Sequence, residues 1–140
     1  MHAYRSKYGK LPGTSHARAV QAARHEYHKI QKRTPRRQAH VRSRYFRNDK
    51  VFINQFWEHI KQKHPGDQVR RLRLYLCAID VIRNSTTSPN TIFNKADLNI
   101  ILHRFEGKTK DGEPFYVQVK ENKRTNRKDF MSVFPGKNSK

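Results

Sequence analysis

A histidine, an arginine, a lysine and a serine fall on three short, closely spaced segments near the C-terminus: His103 with Arg104, then Lys120, then Ser132. Together these residue types can cleave an RNA phosphodiester without a metal. A base must take the proton of the 2′-hydroxyl, an acid must protonate the leaving 5′-oxygen, and cations must stabilise the charge of the pentavalent phosphorane. His103 is the candidate acid or base. Lys120 and Arg104 are the candidate phosphorane-binding cations, and Ser132 is a hydrogen-bonding group for a phosphate oxygen. Arg124, Arg127 and Lys128 follow Lys120 in a basic turn, where they could hold flanking phosphates. The competing reading of His103 is a half-buried, hydrogen-bonded structural histidine, and that of Ser132 is a plain sheet residue.

These residues must be positioned by the stretch 100–135. It consists of three segments rich in β-branched and aromatic residues, separated by turn chemistry, which predicts an antiparallel β-meander. Lys110-Asp111-Gly112-Glu113 supplies the Asp-Gly pair that accommodates a left-handed turn. Strand alternation turns Phe115, Val117 and Val119 to one face and Tyr116, Gln118 and Lys120 to the other. On the third segment it assigns Met131 and Val133 to the core, with Phe130, Ser132 and Phe134 opposite. The first segment is ambiguous, because Ile100, Leu102 and Arg104 are as apolar a set as Ile101, His103 and Phe105. Neighbours on a regular strand point to opposite sides, so one of His103 and Arg104 joins Gln118, Lys120 and Ser132 while the other is structural, unless a bulge intervenes.

Upstream, the periodicity turns helical. Thr14 or Ser15 can cap a helix whose apolar positions are Ala19, Val20, Ala23, Tyr27 and Ile30, with Thr34-Pro35 ending it. Residues 35–47 carry Arg36, Arg37, Arg42, Arg44 and Arg47 around Tyr45 and Phe46. Guanidinium groups pair with phosphates and aromatic faces stack on bases, so this segment reads either as RNA-binding or as a solvated linker. Asn48 or Asp49 can cap a second helix carrying Phe52, Ile53, Phe56, Trp57 and Ile60. Pro65-Gly66 breaks the chain, and Asp67 starts a third helix with Val69, Leu72, Leu76, Ile79 and Ile82 at a 3.6-residue period. A polar loop follows, with room for a short strand around Thr91, Ile92 and Phe93.

Thirty-one Lys and Arg against 11 Asp and Glu give a net charge of +20 over 140 residues. That excess calls for a polyanion, and nucleic acid is the commonest one. It is concentrated at the N-terminus, at +12 for residues 1–50, +3 for 51–98 and +5 for 99–140. The length suits one domain. The division expected is a basic flexible arm over 1–13, a basic helix and Arg-rich linker over 14–49, a folded domain over 50–136 and a tail over 137–140. A lone Cys77 in an apolar run excludes an intramolecular disulfide and a four-cysteine zinc site. His25 with His28, and His59 with His64, have no further ligands nearby to complete a zinc site, so no metal is expected. No cofactor is expected either, since no P-loop or dinucleotide glycine motif occurs. There is no membrane-spanning run and no secretion signal, which makes a reducing, cytoplasmic location the expectation.

The run Leu102-His103-Arg104-Phe105-Glu106-Gly107, followed by Asp111-Gly112, Phe115-Tyr116-Val117-Gln118-Val119-Lys120-Glu121 and Phe130-Met131-Ser132-Val133-Phe134-Pro135, resembles the phage-associated barnase, EndoU, colicin and RelE-like (BECR) nuclease group. The likeness covers about residues 50–136. It implies an α+β fold, with N-terminal helices packed on a three- to four-stranded antiparallel β-meander. It also implies a metal-independent RNase of toxin type and an immunity or antitoxin protein as a possible partner beside RNA. By this analogy His103, Arg104, Lys120 and Ser132 line the cleft with Gln118 beside them. Two other functions compete: an RNA-binding protein, ribosome- or mobile-element-associated, that uses the same face without cleaving, and a DNA-binding helix pair over 49–63 and 67–83. The broad apolar faces of those helices weigh against the second.

Overall fold

A computed structural model describes residues 3–34, 36 and 38–136; Pro35 and Arg37 of the Arg-rich segment, the first two residues of the expected arm and the expected tail over 137–140 lie outside the described residues. The chain runs β1 (Tyr4–Arg5), α1 (His16–Arg33), β2 (His40–Ser43), β3 (Asp49–Phe52), α2 (Gln55–Ile60), α3 (Pro65–Leu72), α4 (Tyr75–Asn84), β4 (Asn90–Phe93), β5 (Ile100–Lys108), β6 (Pro114–Asn122) and β7 (Arg127–Pro135).

All seven of these strands join one mixed sheet in the order β1-β5-β6-β7-β3-β2, with β4 paired to the remaining part of the β5 edge. Two pairings are parallel, β1 with β5 and β3 with β7. The sheet curls into a half-barrel, and α4 packs inside it against β2, β5 and β6. This corrects the expected architecture of N-terminal helices laid on a three- to four-stranded antiparallel meander. The long strands β5, β6 and β7 do run antiparallel in sequence order, but they are only the centre of a larger sheet. The added strands are two to four residues long, too short to display alternation, and of them only β4 falls where the sequence left room for a short strand. Residues 4–5 pair with Gly107 and Lys108, about a hundred positions away.

The N-terminal segment, read as a flexible arm, is tied down by a buried carboxylate. Asp80 on α4 accepts hydrogen bonds from Ser6 Oγ (2.7 Å), Tyr4 Oη (3.2 Å), Lys7 N (3.2 Å) and Asn84 Nδ2 (2.7 Å). Several donors on one carboxylate offset the cost of burying it. The preceding turn of α4 buries Cys77, whose Sγ lies 3.3 Å from Tyr8 O, and burial pushes its thiol up to about 11.

Helix α1 begins where expected, with Ser15 Oγ accepting from Arg18 N, and buries Ala19, Ala23, Tyr27 and Ile30. The second expected helix is shorter than its apolar pattern suggested. Asp49–Phe52 is strand β3, and only Gln55–Ile60 is helical. Val51 on β3 and Ile53 just past its end alternate into the core, while Phe56, Trp57 and Ile60 do so at helical spacing. The third expected helix divides between Leu72 and Tyr75. In the core, the Phe56 and Phe130 rings stack with centroids 4.8 Å apart and planes 8° from parallel, next to Tyr75.

Phe130 faces this core, contrary to simple alternation, because β7 carries one extra residue. Gln118 pairs with Ser132 but Val119 pairs with Phe130, so Met131 is bulged out and the phase of the strand is reset. The first hairpin has a constraint of its own. The ring of Phe115 lies across Gly107, its partner on β5, and a Cβ at Gly107 would come within 2.5 Å of that buried ring. Gly107→Ala is therefore expected to destabilise the fold by about 1–3 kcal/mol, the usual cost of overpacking. A chemical denaturation curve measures it, and a variant as stable as the parent would contradict this account of the hairpin.

Candidate functional site

Strands β5, β6 and β7 present one face to the core and one outward. Ile101, His103 and Phe105 on β5 are buried with Phe115, Val117 and Val119 on β6. The opposite face carries side chains in rows across the strands, partly exposed at Arg104, Tyr116, Gln118 and Lys120 but buried at Ser132. Arg104 pairs with Gln118, and Gln118 with Ser132. Glu106 pairs with Tyr116, and Tyr116 with Phe134. Leu102 pairs with Lys120. Adjacent strands are about 4.8 Å apart, so the row from Arg104 to Ser132 spans about 10 Å, the scale of a nucleotide unit.

One side chain enters this face from a helix. Arg71 on α3 donates from Nη1 to Ser132 Oγ at 2.8 Å, while its Nε is held by Asp67 at 2.8 Å. Burial pushes the Asp67 carboxyl up, but the hydrogen bonds and charges of Arg71 and Arg70 outweigh it and hold the group below its ordinary value. Arg71 and Arg104 both lie over the ring of Phe134, at 5.5 and 5.3 Å from its centroid, and Arg104 is 5.9 Å from the centroid of Tyr116. The aromatic pair therefore supports two guanidinium groups on one patch.

Arg104 differs from Arg71 in its partners. Its Nη2 donates to the neutral amide oxygen of Gln118 at 3.3 Å, and its Nε is buried with no hydrogen-bond partner. A buried guanidinium N–H with no acceptor is costly unless an anion satisfies it. Glu106, two residues further along the same face, is a carboxylate opposite the phenol of Tyr116. Neither Arg71 nor Glu106 stood out in the sequence. For Glu106 the signal was available, since it shares strand phase with Arg104, whereas Arg71 is brought in only by helix packing.

His103 occupies the other face. Its Nε2 is 2.7 Å from Glu121 Oε1 and its Nδ1 3.2 Å from Thr91 Oγ1, with the Phe46 ring at its edge. Lys128 is buried at the same end of the core face, 3.0 Å from Asp49, 3.7 Å from Glu121 and over Phe46. His103 and Lys128 thus share Glu121 in one polar cluster, away from Arg104, Gln118 and Ser132. Arg127 donates to Asp129 and Gln38 and lies 4.1 Å from the centroid of Phe52. Arg124, Arg36, Arg42 and Arg44 are exposed, the first in the β6–β7 turn and the others in and around β2, remote in sequence from the open face. Arg37 lies outside the described residues.

Among the described residues, no three His, Cys, Asp or Glu side chains are grouped as a metal site needs. No helix among them is long and apolar enough to cross a membrane. Comparison with protein-family models, curated proteins and solved structures finds no match to this chain.

Proposed function

We propose that the chain is a metal-independent endoribonuclease whose site is the open face of β5, β6 and β7. The observation that carries this reading is Arg104, a cation with a buried, unsatisfied Nε beside Arg71 and Ser132. A phosphodiester placed over the Arg104–Gln118–Ser132 row would meet two guanidinium groups, a hydroxyl and an amide. Tyr116 and Phe134 offer rings for base stacking, and Lys120 adds charge at the adjoining row. The net charge of +20 favours the substrate class.

In this reading the Glu106 carboxylate takes the proton of the 2′-hydroxyl, whose oxygen bonds to phosphorus. The bond from phosphorus to the 5′-oxygen breaks, and Tyr116 supplies the proton to that oxygen. Glu106 then returns its proton to Tyr116, which restores the site. The products are a 2′,3′-cyclic phosphate and a free 5′-hydroxyl. His103, engaged by Glu121 and Thr91, has no part in these transfers. The resemblance to the nuclease group supports the activity class, but the seven-stranded sheet departs from the architecture it implies, so the roles rest on the site. A toxin-type role would call for an acidic inhibitor able to cover this face.

Binding without cleavage is the second reading, favoured by the separation of His103 from the open face. Incubating the protein with total RNA in EDTA distinguishes the two. Fragments ending in 2′,3′-cyclic phosphates are expected, whereas intact RNA retained by the protein would remove the enzyme reading and leave the binding one.

A further inference from the structure

Three clefts away from the open face are basic and adjoin one another. The first, about 450 Å³, lies between α1, α4 and the N-terminal segment, with Lys7, Lys29, Arg33 and Arg83 in its wall. The second, about 350 Å³, shares Ile30, Arg33, Arg83 and Asn84 with the first and adds His40 and Arg42 from β2. A third, about 340 Å³, shares Arg42 with the second and adds Lys50, Thr125 and Arg127. The last junction is also bridged by rings, since His40 packs edge-on to Phe52 at 5.7 Å and Arg127 covers Phe52 at 4.1 Å. The lining cations outnumber the acids Glu26, Asp80 and Asp49, and Asp80 is already occupied by the N-terminal segment.

At the centre of the track Arg33 and Arg83 line the same two clefts. Burial, then the neighbouring charge of Arg33, hold Arg83 below the usual range for an arginine. Like charges placed together in a half-buried cleft destabilise the fold unless an anion joins them, and a row of such places suits a chain of phosphates better than one isolated ion. We infer that this track, from Lys7 and Lys29 through Arg33, Arg83 and Arg42 to Arg127, binds the phosphodiester backbone of an extended nucleic-acid strand. It is independent of the open face and stands whether or not that face cleaves RNA.

The test uses a fluorescent 2′-O-methyl oligouridine, which has no 2′-hydroxyl to attack. A length of about 20 nucleotides exceeds the roughly 4–16 that a single-strand groove takes. Binding to the full chain is followed by anisotropy across a salt series. The double variant Arg33→Gln/Arg42→Gln alters two exposed side chains, with Arg18→Gln/Lys61→Gln as the charge-matched control outside the track. Loss of two phosphate contacts should weaken binding at least tenfold and flatten the slope of log K against log salt by about 1.4, at about 0.7 per contact on a single strand. The control should keep the parental slope. Equal losses in the two variants, or none in the track variant, would overturn the inference. Cleavage of a dinucleoside monophosphate, which is too short to reach the track, should be unchanged in the track variant. That assay reports failure of the open-face reading separately.

Discussion

Arg104→Gln is expected to lower RNA cleavage by at least about 100-fold, the range seen when one preorganised charge-stabilising donor is removed, without unfolding the protein. The activity loss follows from the position of Arg104, in the same row as Gln118 and Ser132 and over the same ring as Arg71. The small stability effect follows from a balance. Removing the side chain forfeits cation–π contact with Phe134 and Tyr116, about 0.5–1 kcal/mol, and relieves a buried N–H that has no partner. The net change should stay within about 1 kcal/mol. His103→Gln should behave in the opposite way, since it breaks the contacts with Glu121 and Thr91 on the core face. It should cost about 1–3 kcal/mol of stability and leave cleavage within a few-fold of the parent. Cleavage rates on one RNA, read together with urea denaturation of both variants, check the pair. Loss of activity in His103→Gln with full activity in Arg104→Gln would place the chemistry on the other side of the sheet.

Phe130→Ala is expected to cost about 3–5 kcal/mol of folding stability, a large share of the roughly 5–15 kcal/mol available to a domain. Phe130 is fully buried, stacked on Phe56 and close to Tyr75, so truncation leaves a cavity between α2, α4 and β7. The same substitution tests the bulge at Met131, because Phe130 reaches the core only through the phase change there. Met131→Ala is the natural companion, since that side chain is only partly buried and its loss should be felt much less. If the two variants lost equal stability, β7 would have to run without the bulge.

The three long strands and the start of α1 were legible because each spans enough residues to display its period, and because turn or cap chemistry bounds it. Gly112 takes a φ of +91° in the Asp-Gly turn, and Ser15 caps α1. On β6, alternation by itself also assigns Tyr116, Gln118 and Lys120 to one face. The halving of the second helix into β3 and α2 was not legible, because Val51, Ile53, Phe56 and Ile60 satisfy a helical stripe almost as well as a strand followed by a helix. The short strand β1 owes its conformation to a distant partner on β5, whereas β2 and β3 pair with each other across a tight turn in which Arg47 and Asn48 take positive φ, a geometry that the Arg-rich composition of the segment does not announce.

For the site, the amino-acid order alone pointed to a cationic, aromatic sheet face and set His103 and Arg104, as neighbours on one strand, on opposite sides unless a bulge intervened. Only the tertiary structure decided between them. Burial of Ile101, His103 and Phe105 against the core turned Arg104 outward, since one buried face sets the side of every residue on the strand. The tertiary structure also brought Arg71 to Ser132 across 61 positions and reset Phe130 and Ser132 through a one-residue bulge. These outcomes depend on helix packing and strand register, which are long-range contacts that no local pattern encodes.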